Sequence, residues 1–405
     1  MVYRYALIVA ASVFLVAGCV EDPPAPPPAK VVSLSYARDH GCVIVDAGAK
    51  VRCWGGNNNG DVPIGSEAPS SETVAVPLLS DAVQIGGYCS VVADGGVRCW
   101  GPNNAGQLGN GTVGAAVGVP VDVAGIDDAV QVDSEGNIAC AVVADGGVRC
   151  WGDNQAGGVG DGTHGPTTYT DIRSTPVPVV GLDDATQVSV GAMHACAVRE
   201  GGEVACWGYQ WEGSLGNGLD AVHFQHDPPP PAVDHPVAVS GIDDAVELST
   251  NGRFTTCALH ETGKVSCWGE NSWGVTGVGY APGAPDVVGL ETVPTPAEVA
   301  GVDGASDVAV GTWQACAVVG GGAVKCWGDN YWGEAGQIGW PQNDPVLTPS
   351  TVDGLSGVTA IDAGEERTCA LLSDGTVRCW GYGWNNALGN PDAGGPIPHP
   401  VLGLG

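Results

Sequence analysis

Basic residues are scarce. Lys and Arg total 14 in 405 residues, against 45 Asp and Glu, for a formal net charge of −31 and a pI near 4.2. That balance argues against a nucleic-acid ligand, which needs cations to displace counterions from phosphate, and against electrostatic docking on anionic lipid. Charged residues are only 15% of the chain, while 44% is hydrophobic and 13 residues are Trp, so it is not a solvated acidic coil. Two Met and three Phe leave Trp to supply the aromatic core. No G-x-x-x-x-G-K-[ST], H-E-x-x-H or G-x-S-x-G pattern occurs. The Gly-rich run from Gly106 to Gly111 lacks the lysine of a phosphate cradle and reads as a turn. The chain has one long apolar run, residues 6–17, too short for a comfortable membrane span.

That run follows Arg4 and ends in Ala17-Gly18-Cys19, which resembles a bacterial lipoprotein signal. Residues 1–18 are then a signal peptide, and Cys19 is the lipidated new N-terminus. An ordinary cleaved signal with a chance Cys is the alternative. Cleavage removes one positive charge, so the mature chain carries 13 − 45 = −32. Residues 19–30, rich in proline, read as an extended tether to a membrane. The expected location is the cell envelope, on its periplasmic or cell-surface side.

The remainder, residues 31–405, repeats one unit seven times. Cys-Trp-Gly begins at Cys53, Cys99, Cys150, Cys206, Cys267, Cys326 and Cys379. Each is preceded by a partner: Cys42, Cys89, Cys140, Cys196, Cys257, Cys316 and Cys369. The separation is 11 in the first pair and 10 in the others, with glycine in the middle of every copy. Zinc knuckles use shorter spacings. Cysteines facing each other across a hairpin in an exported protein read as a disulfide, so seven intrablade bridges are expected. Successive Trp residues of these motifs lie 46 to 61 apart, the length of a four-stranded propeller blade. A Pro-Val strand precedes units 2 to 7, whereas unit 1 has none and Pro400-Val401 stands at the C-terminus. The expectation is an all-β, closed seven-bladed propeller whose C-terminal strand completes the first blade.

Gly106 to Thr112, Gly191 to Val198 and Asp374 to Gly381 resemble regulator of chromosome condensation repeats. The resemblance implies a seven-bladed propeller used as a binding platform. The family includes a nuclear guanine-nucleotide exchange factor and, in bacteria, a secreted protein inhibitor of β-lactamase. This chain departs from it in having a cysteine pair in every blade. Blade 2 is also short before Cys89. Function does not travel with a fold.

Chemistry-bearing residues are few. His223, His226 and His235, with nearby carboxylates, are weak candidates for a divalent metal; a polar, proline-rich loop explains them equally. Asp153-Asn154 and Asp161 could hold calcium, but turn-forming residues explain them without an ion. His40 and His194 share a repeat position that other units fill with unrelated residues, which points to packing. Basic residues recur before the second cysteine, as in Arg52, Arg98, Arg149, Lys325 and Arg378. They either pack on aromatic rings between blades or form a cationic ring.

The loop after Cys-Trp-Gly is aromatic in four adjacent units only. It holds Tyr209 and Trp211, then Trp273, then Tyr331 and Trp332, then Tyr382 and Trp384. Equivalent propeller loops share a face, so these seven residues are the expected ligand-binding set. Local loop cores are the alternative. The sequence thus predicts a monomeric, non-enzymatic, membrane-tethered platform with no cofactor, binding a protein or glycan through blades 4–7. Its rivals are a structural envelope spacer and a metal-dependent hydrolase or lyase built on the His223 cluster.

Overall fold

The computed structural model describes residues 30–45, 50–65, 70–165, 171–219, 232–250, 253–279, 292–338 and 344–404. Residues 1–29 lie outside them, and with them the signal, Cys19 and all but the last residue of the tether. The described chain forms seven four-stranded antiparallel sheets, each made of four consecutive strands. In blade 1 these are Val31–Ala37, His40–Val45, Lys50–Gly55 and Ser70–Ala75, from the innermost strand to the outermost.

The Cys-Trp-Gly motif explains the third strand of each blade. In the first pair Cys42 stands opposite Cys53, and Cys89, Cys140, Cys196, Cys257, Cys316 and Cys369 likewise oppose their partners. All seven pairs are disulfide-bonded within a blade. The glycine after Trp has φ between 86° and 108° in every copy. A side chain there would meet the turn between the first two strands: a Cβ on Gly55 would lie 2.5 Å from the Asp39 carbonyl oxygen, and one on Gly208 2.6 Å from that of Met193. Only glycine fits. In every blade the pairing with the fourth strand slips between this cysteine and this glycine.

The Trp of each motif is fully buried. It wedges into the preceding blade, as Trp207 packs on Ile138, Val142, Val148 and Val159. Burying one such ring contributes roughly 4–6 kcal/mol, as an upper estimate. Each indole N–H donates, at 2.8–3.1 Å, to a carbonyl of the preceding blade: those of Ala387, Asp61, Gln107, Gly158, Ser214, Val275 and Glu334. Every acceptor stands eight residues past the second cysteine of its own blade, as Glu334 does from Cys326. The repeat therefore encodes the joint between blades as well as the blade.

A second joint lies at the centre. The Gln84, Gln131 and Gln187 amides each accept from and donate to the backbone of the next blade, at Val132, Val188 and Leu248, over 2.7–3.0 Å. Asp307 accepts from Ile361 N–H at 2.9 Å, and Asp362 from Tyr36 N–H at 2.8 Å.

The ring closes, but not by the expected strand exchange. Residues 395–400 pair with the third strand of blade 7, Arg378 opposite Pro400 and Cys379 opposite His399. Ser70–Ala75 fills the outermost place in blade 1. Each Pro-Val strand completes the unit before it, and in blade 1 that strand, running into Val74-Ala75-Val76, carries no leading proline. Pairing across a local loop costs less closure entropy than pairing around the whole ring. Prolines sit on these outer strands because the edge needs no further donor. Blades 7 and 1 meet instead through packing of Val43, Val45 and Trp54 on Leu371, Leu388 and Val401. Tyr36 Oη donates to Ala387 O at 2.6 Å, Arg52 to Gly403 O at 2.8 Å, and Arg367 to Arg38 O at 3.1 Å.

Candidate functional site

In an antiparallel blade, the turn between the first and second strands emerges on the same face as the loop between the third and fourth. All seven sequence-selected aromatics lie on or beside that third-to-fourth loop and so share one face. The structure divides them into groups, where the sequence predicted a single arc.

The largest group is a groove between blades 6 and 7, of about 570 Å³, lined by Tyr331, Trp332, Tyr382 and Trp384. Trp384 is 64% exposed, Tyr331 46% and Trp332 41%. Tyr331 and Trp332 meet edge to face at 4.8 Å, and Trp332 lies 4.5 Å from the Tyr382 ring. The Arg367 guanidinium sits 5.3 Å from the centre of the Tyr382 ring and donates to the Tyr382 carbonyl at 2.6 Å. Tyr382 is thus held between a cation and a second aromatic.

The backbone under Trp332 is also pinned. Asp329 accepts from Asn330 N–H at 2.8 Å and Tyr331 N–H at 3.1 Å, while Glu334 accepts from Trp332 N–H at 2.8 Å. Burial, with Asp329 beside it, raises the Glu334 carboxyl well above its ordinary range. In blade 2, Gln107 plays the same part toward Ala105 N–H at 2.8 Å.

Tyr209 and Trp211 follow the local-core alternative. They pack on Phe254 from the first turn of blade 5, Trp211 stacking at 6.0 Å and 17°. Trp273 is 44% exposed and has a φ of 65°, a conformation bulky side chains rarely adopt. No ring contact joins it to either group among the described residues. Sequence reading missed Phe254, and also Trp313, over which Arg253 sits at 5.0 Å. Both occupy the first turn of a blade, where the repeat pattern carries no shared residue.

Three segments of the chain match family models for the repeat suggested by its motifs: residues 145–198, 248–274 and 358–388. They are regulator of chromosome condensation (RCC1) repeats. The RCC1-repeat propeller is 30% identical over 211 residues to the ultraviolet-B receptor UVR8 of Arabidopsis thaliana, covering 51% of this chain and 43% of that protein. It is 25% identical over 358 residues to the human E3 ubiquitin-protein ligase HERC2, covering 84% of this chain and 7% of that one. The chain therefore spans less than two thirds of these relatives. In fold it matches yeast RCC1 (Prp20), solved bound to Kap60, with a TM-score of 0.72 at 18% identity, covering 96% of this chain and 91% of the other. Human WBSCR16 matches with a TM-score of 0.71 at 19% identity, over 87% and 94% of the two chains.

The RCC1-repeat propeller has a central channel of about 270 Å³ whose lining includes Asp133, Glu135, Glu247, Asp307 and Asp362. Burial pushes Asp133 up to about 6, Asp362 to about 7 and Glu135 to about 8. Burial also raises Glu247 and Asp307, which are hydrogen-bonded to each other. Sequence reading overlooked these carboxylates, although in blades 2 to 6 Gln84, Gln131, Gln187, Glu247 and Asp307 each stand two residues after an alanine.

His223 and His226 lie outside the described residues. His235 is exposed and bonds Asp234 at 2.9 Å, and His164 meets the other Asp234 oxygen at 2.8 Å. Among the described residues no group of three or more His, Cys, Asp or Glu is arranged to hold a metal. Asp161 is engaged by Arg173 at 2.7 Å. His194 is fully buried, which lowers its pKa to about 4.

Among the described residues no recurrent basic residue stacks on a blade Trp ring, and three of the five are engaged by neighbouring groups. Arg98 pairs with Asp122 at 2.9 Å and Asp81 at 3.5 Å, and Lys325 donates to Gly301 O at 2.7 Å. Arg52 donates to Gly403 O. They sit where the third strand begins, beside the acidic turn that leaves the outer strand, and that turn supplies the nearer partners.

Proposed function

We propose that this RCC1-repeat propeller is a non-enzymatic binding platform whose recognition surface is the groove between blades 6 and 7. One observation carries the reading. Four aromatic side chains from two different blades converge on a groove and stay partly exposed, although the same chain buries its seven blade Trp completely. Exposed aromatics gathered in this way mark recognition surfaces. Similarity to a photoreceptor and to ubiquitin-ligase chains supports a binding role for the propeller and brings no particular partner with it.

The tether fits this reading. Lys30, the first described residue, packs against Gly375 in the hairpin between the second and third strands of blade 7. That hairpin lies on the face opposite the groove. Lipid on Cys19 would attach the propeller to a membrane through a chain that joins it on that opposite face.

The test is capture of partners from envelope extracts by wild type and by a Trp332→Ala, Trp384→Ala double variant. The platform reading expects partners that the wild type retains and the variant loses. Identical capture by both would refute it and favour the spacer reading.

A further inference from the structure

The groove differs in one respect from the rest of this acidic molecule. Among the described residues, none of its lining side chains is charged, in a chain of net charge −31. Besides the four aromatics, it is lined by the amides Asn330 and Gln337 and by small or apolar residues such as Gly333, Gly383, Ala393 and Pro396. An anionic ligand would find no counter-charge there, and a cationic one would find no carboxylate.

The aromatics offer two kinds of contact. Their ring faces are broad, partly exposed and held in fixed relation by Trp332 against Tyr382 and by Arg367 behind Tyr382. Their edges carry the Tyr331 and Tyr382 hydroxyls and the Trp332 and Trp384 indole N–H groups. No hydrogen bond within the protein uses these four groups among the described residues. The amides of Asn330 and Gln337, in contrast, are spent on the loop: Asn330 donates to Gln337 O at 3.3 Å, and Gln337 to Thr351 O at 3.1 Å. The site therefore presents apolar platforms rimmed by neutral polar groups, two of which both donate and accept.

We propose that this groove binds a neutral carbohydrate chain, an assignment that rests on the platform reading above. A pyranose ring has an apolar C–H face to lay on an indole or phenol and a rim of hydroxyls that donate and accept together. Platforms on two neighbouring blades would seat successive sugar units. A polyproline segment is the nearest competitor, because it too is uncharged and stacks on aromatics, but it carries acceptors and no donors. It would leave the acceptor side of the phenol oxygens unused.

The experiment uses the full chain with its bridges intact and measures binding by titration calorimetry and tryptophan fluorescence. The probes are hexasaccharides of β-1,4-glucose, β-1,4-N-acetylglucosamine, α-1,4-glucose and β-1,4-mannose, with hexagalacturonate and decaproline as controls. At least one neutral hexasaccharide should bind. Trp332→Ala and Trp384→Ala should each weaken it by about 10-fold or more. Tyr331→Phe, which keeps the ring and loses the hydroxyl, should cost less. Trp384→Phe serves as the fold-preserving companion, since it retains a platform and removes the N–H. Binding of decaproline or hexagalacturonate alone, neutral-sugar binding that survives both Trp→Ala changes, or no binding of any neutral probe would overturn the proposal. If extract capture still depends on Trp332 and Trp384 while every sugar fails, the carbohydrate assignment falls and the platform stands. If capture is also unchanged, both fall.

Discussion

The seam between blades 7 and 1 offers a quantitative test of how the ring is held. Every other pair of neighbouring blades is also joined by the chain itself; this pair is joined only by side chains and a few backbone contacts. At its centre, the Ala387 carbonyl accepts two hydrogen bonds, from Trp54 Nε1 at 2.9 Å and from Tyr36 Oη at 2.6 Å. A carbonyl oxygen has two lone pairs, so either donor alone still satisfies it. Trp54→Phe should cost about 1 kcal/mol for the hydrogen bond plus about 1–2 kcal/mol for the lost ring volume. Tyr36→Phe removes one hydroxyl and should cost about 1 kcal/mol. The double variant leaves a buried carbonyl with neither donor, which adds the desolvation penalty of an unsatisfied group, about 1–3 kcal/mol. The two changes should therefore be more than additive, with a coupling energy of about 1–2 kcal/mol. Urea unfolding of the oxidised protein, with wild type and the three variants at one pH, measures it. Hydrogen exchange should place the extra opening in blades 1 and 7. Additivity within about 0.5 kcal/mol, or exchange that rises evenly around the ring, would refute the idea that this shared carbonyl latches the seam.

Stability should fall as the pH rises from about 5 to 9. Asp133, Asp362 and Glu135 keep their protons in the folded channel to about 6, 7 and 8, whereas the unfolded chain releases them near 4, so the folded state binds more protons across that window. Glu135→Gln should flatten the upper part of a melting-temperature profile, and a profile unchanged by it would contradict the assignment. His194 acts in the opposite sense: its pKa is lowered to about 4, so its contribution is present above 6.5 and lost as the pH falls toward 4. His194→Gln should therefore soften the acid limb of the same profile. Replacing Cys140 and Cys150 together by Ala should cost about 2.8 kcal/mol or less, by chain entropy over a loop of about 11 residues, and leave the ring closed in solution scattering. A Cys19→Ser change should release the protein from membranes on fractionation, because several acyl chains are needed for stable anchoring; co-sedimentation equal to wild type would exclude the lipid anchor.

Much of this architecture is a property of the sequence alone. The spacing of the cysteine pairs around a glycine determines each hairpin and its bridge, because an antiparallel register leaves those two residues facing each other. The seven-fold recurrence of Cys-Trp-Gly determines the number of blades, since each unit has one Trp to bury and only a neighbour to bury it in. Those are local, periodic constraints, and periodic signals survive in a linear chain. What the repeat leaves open is decided by contacts between residues far apart in the chain. Which strand fills the outer place in blade 1 depends on pairing energies across loops, so the proline pattern pointed to the wrong end of the unit. The channel carboxylates become unusual only when seven inner strands bring them together and exclude most of the water. The aromatic loops look alike in sequence, yet Trp211 stacks on Phe254 and is partly covered, while Trp332 meets Tyr382 of the next blade and both Trp332 and Trp384 stay exposed. Exposure is a property of what lies within a few ångströms in space, and for these rings the nearest neighbours come from the next blade.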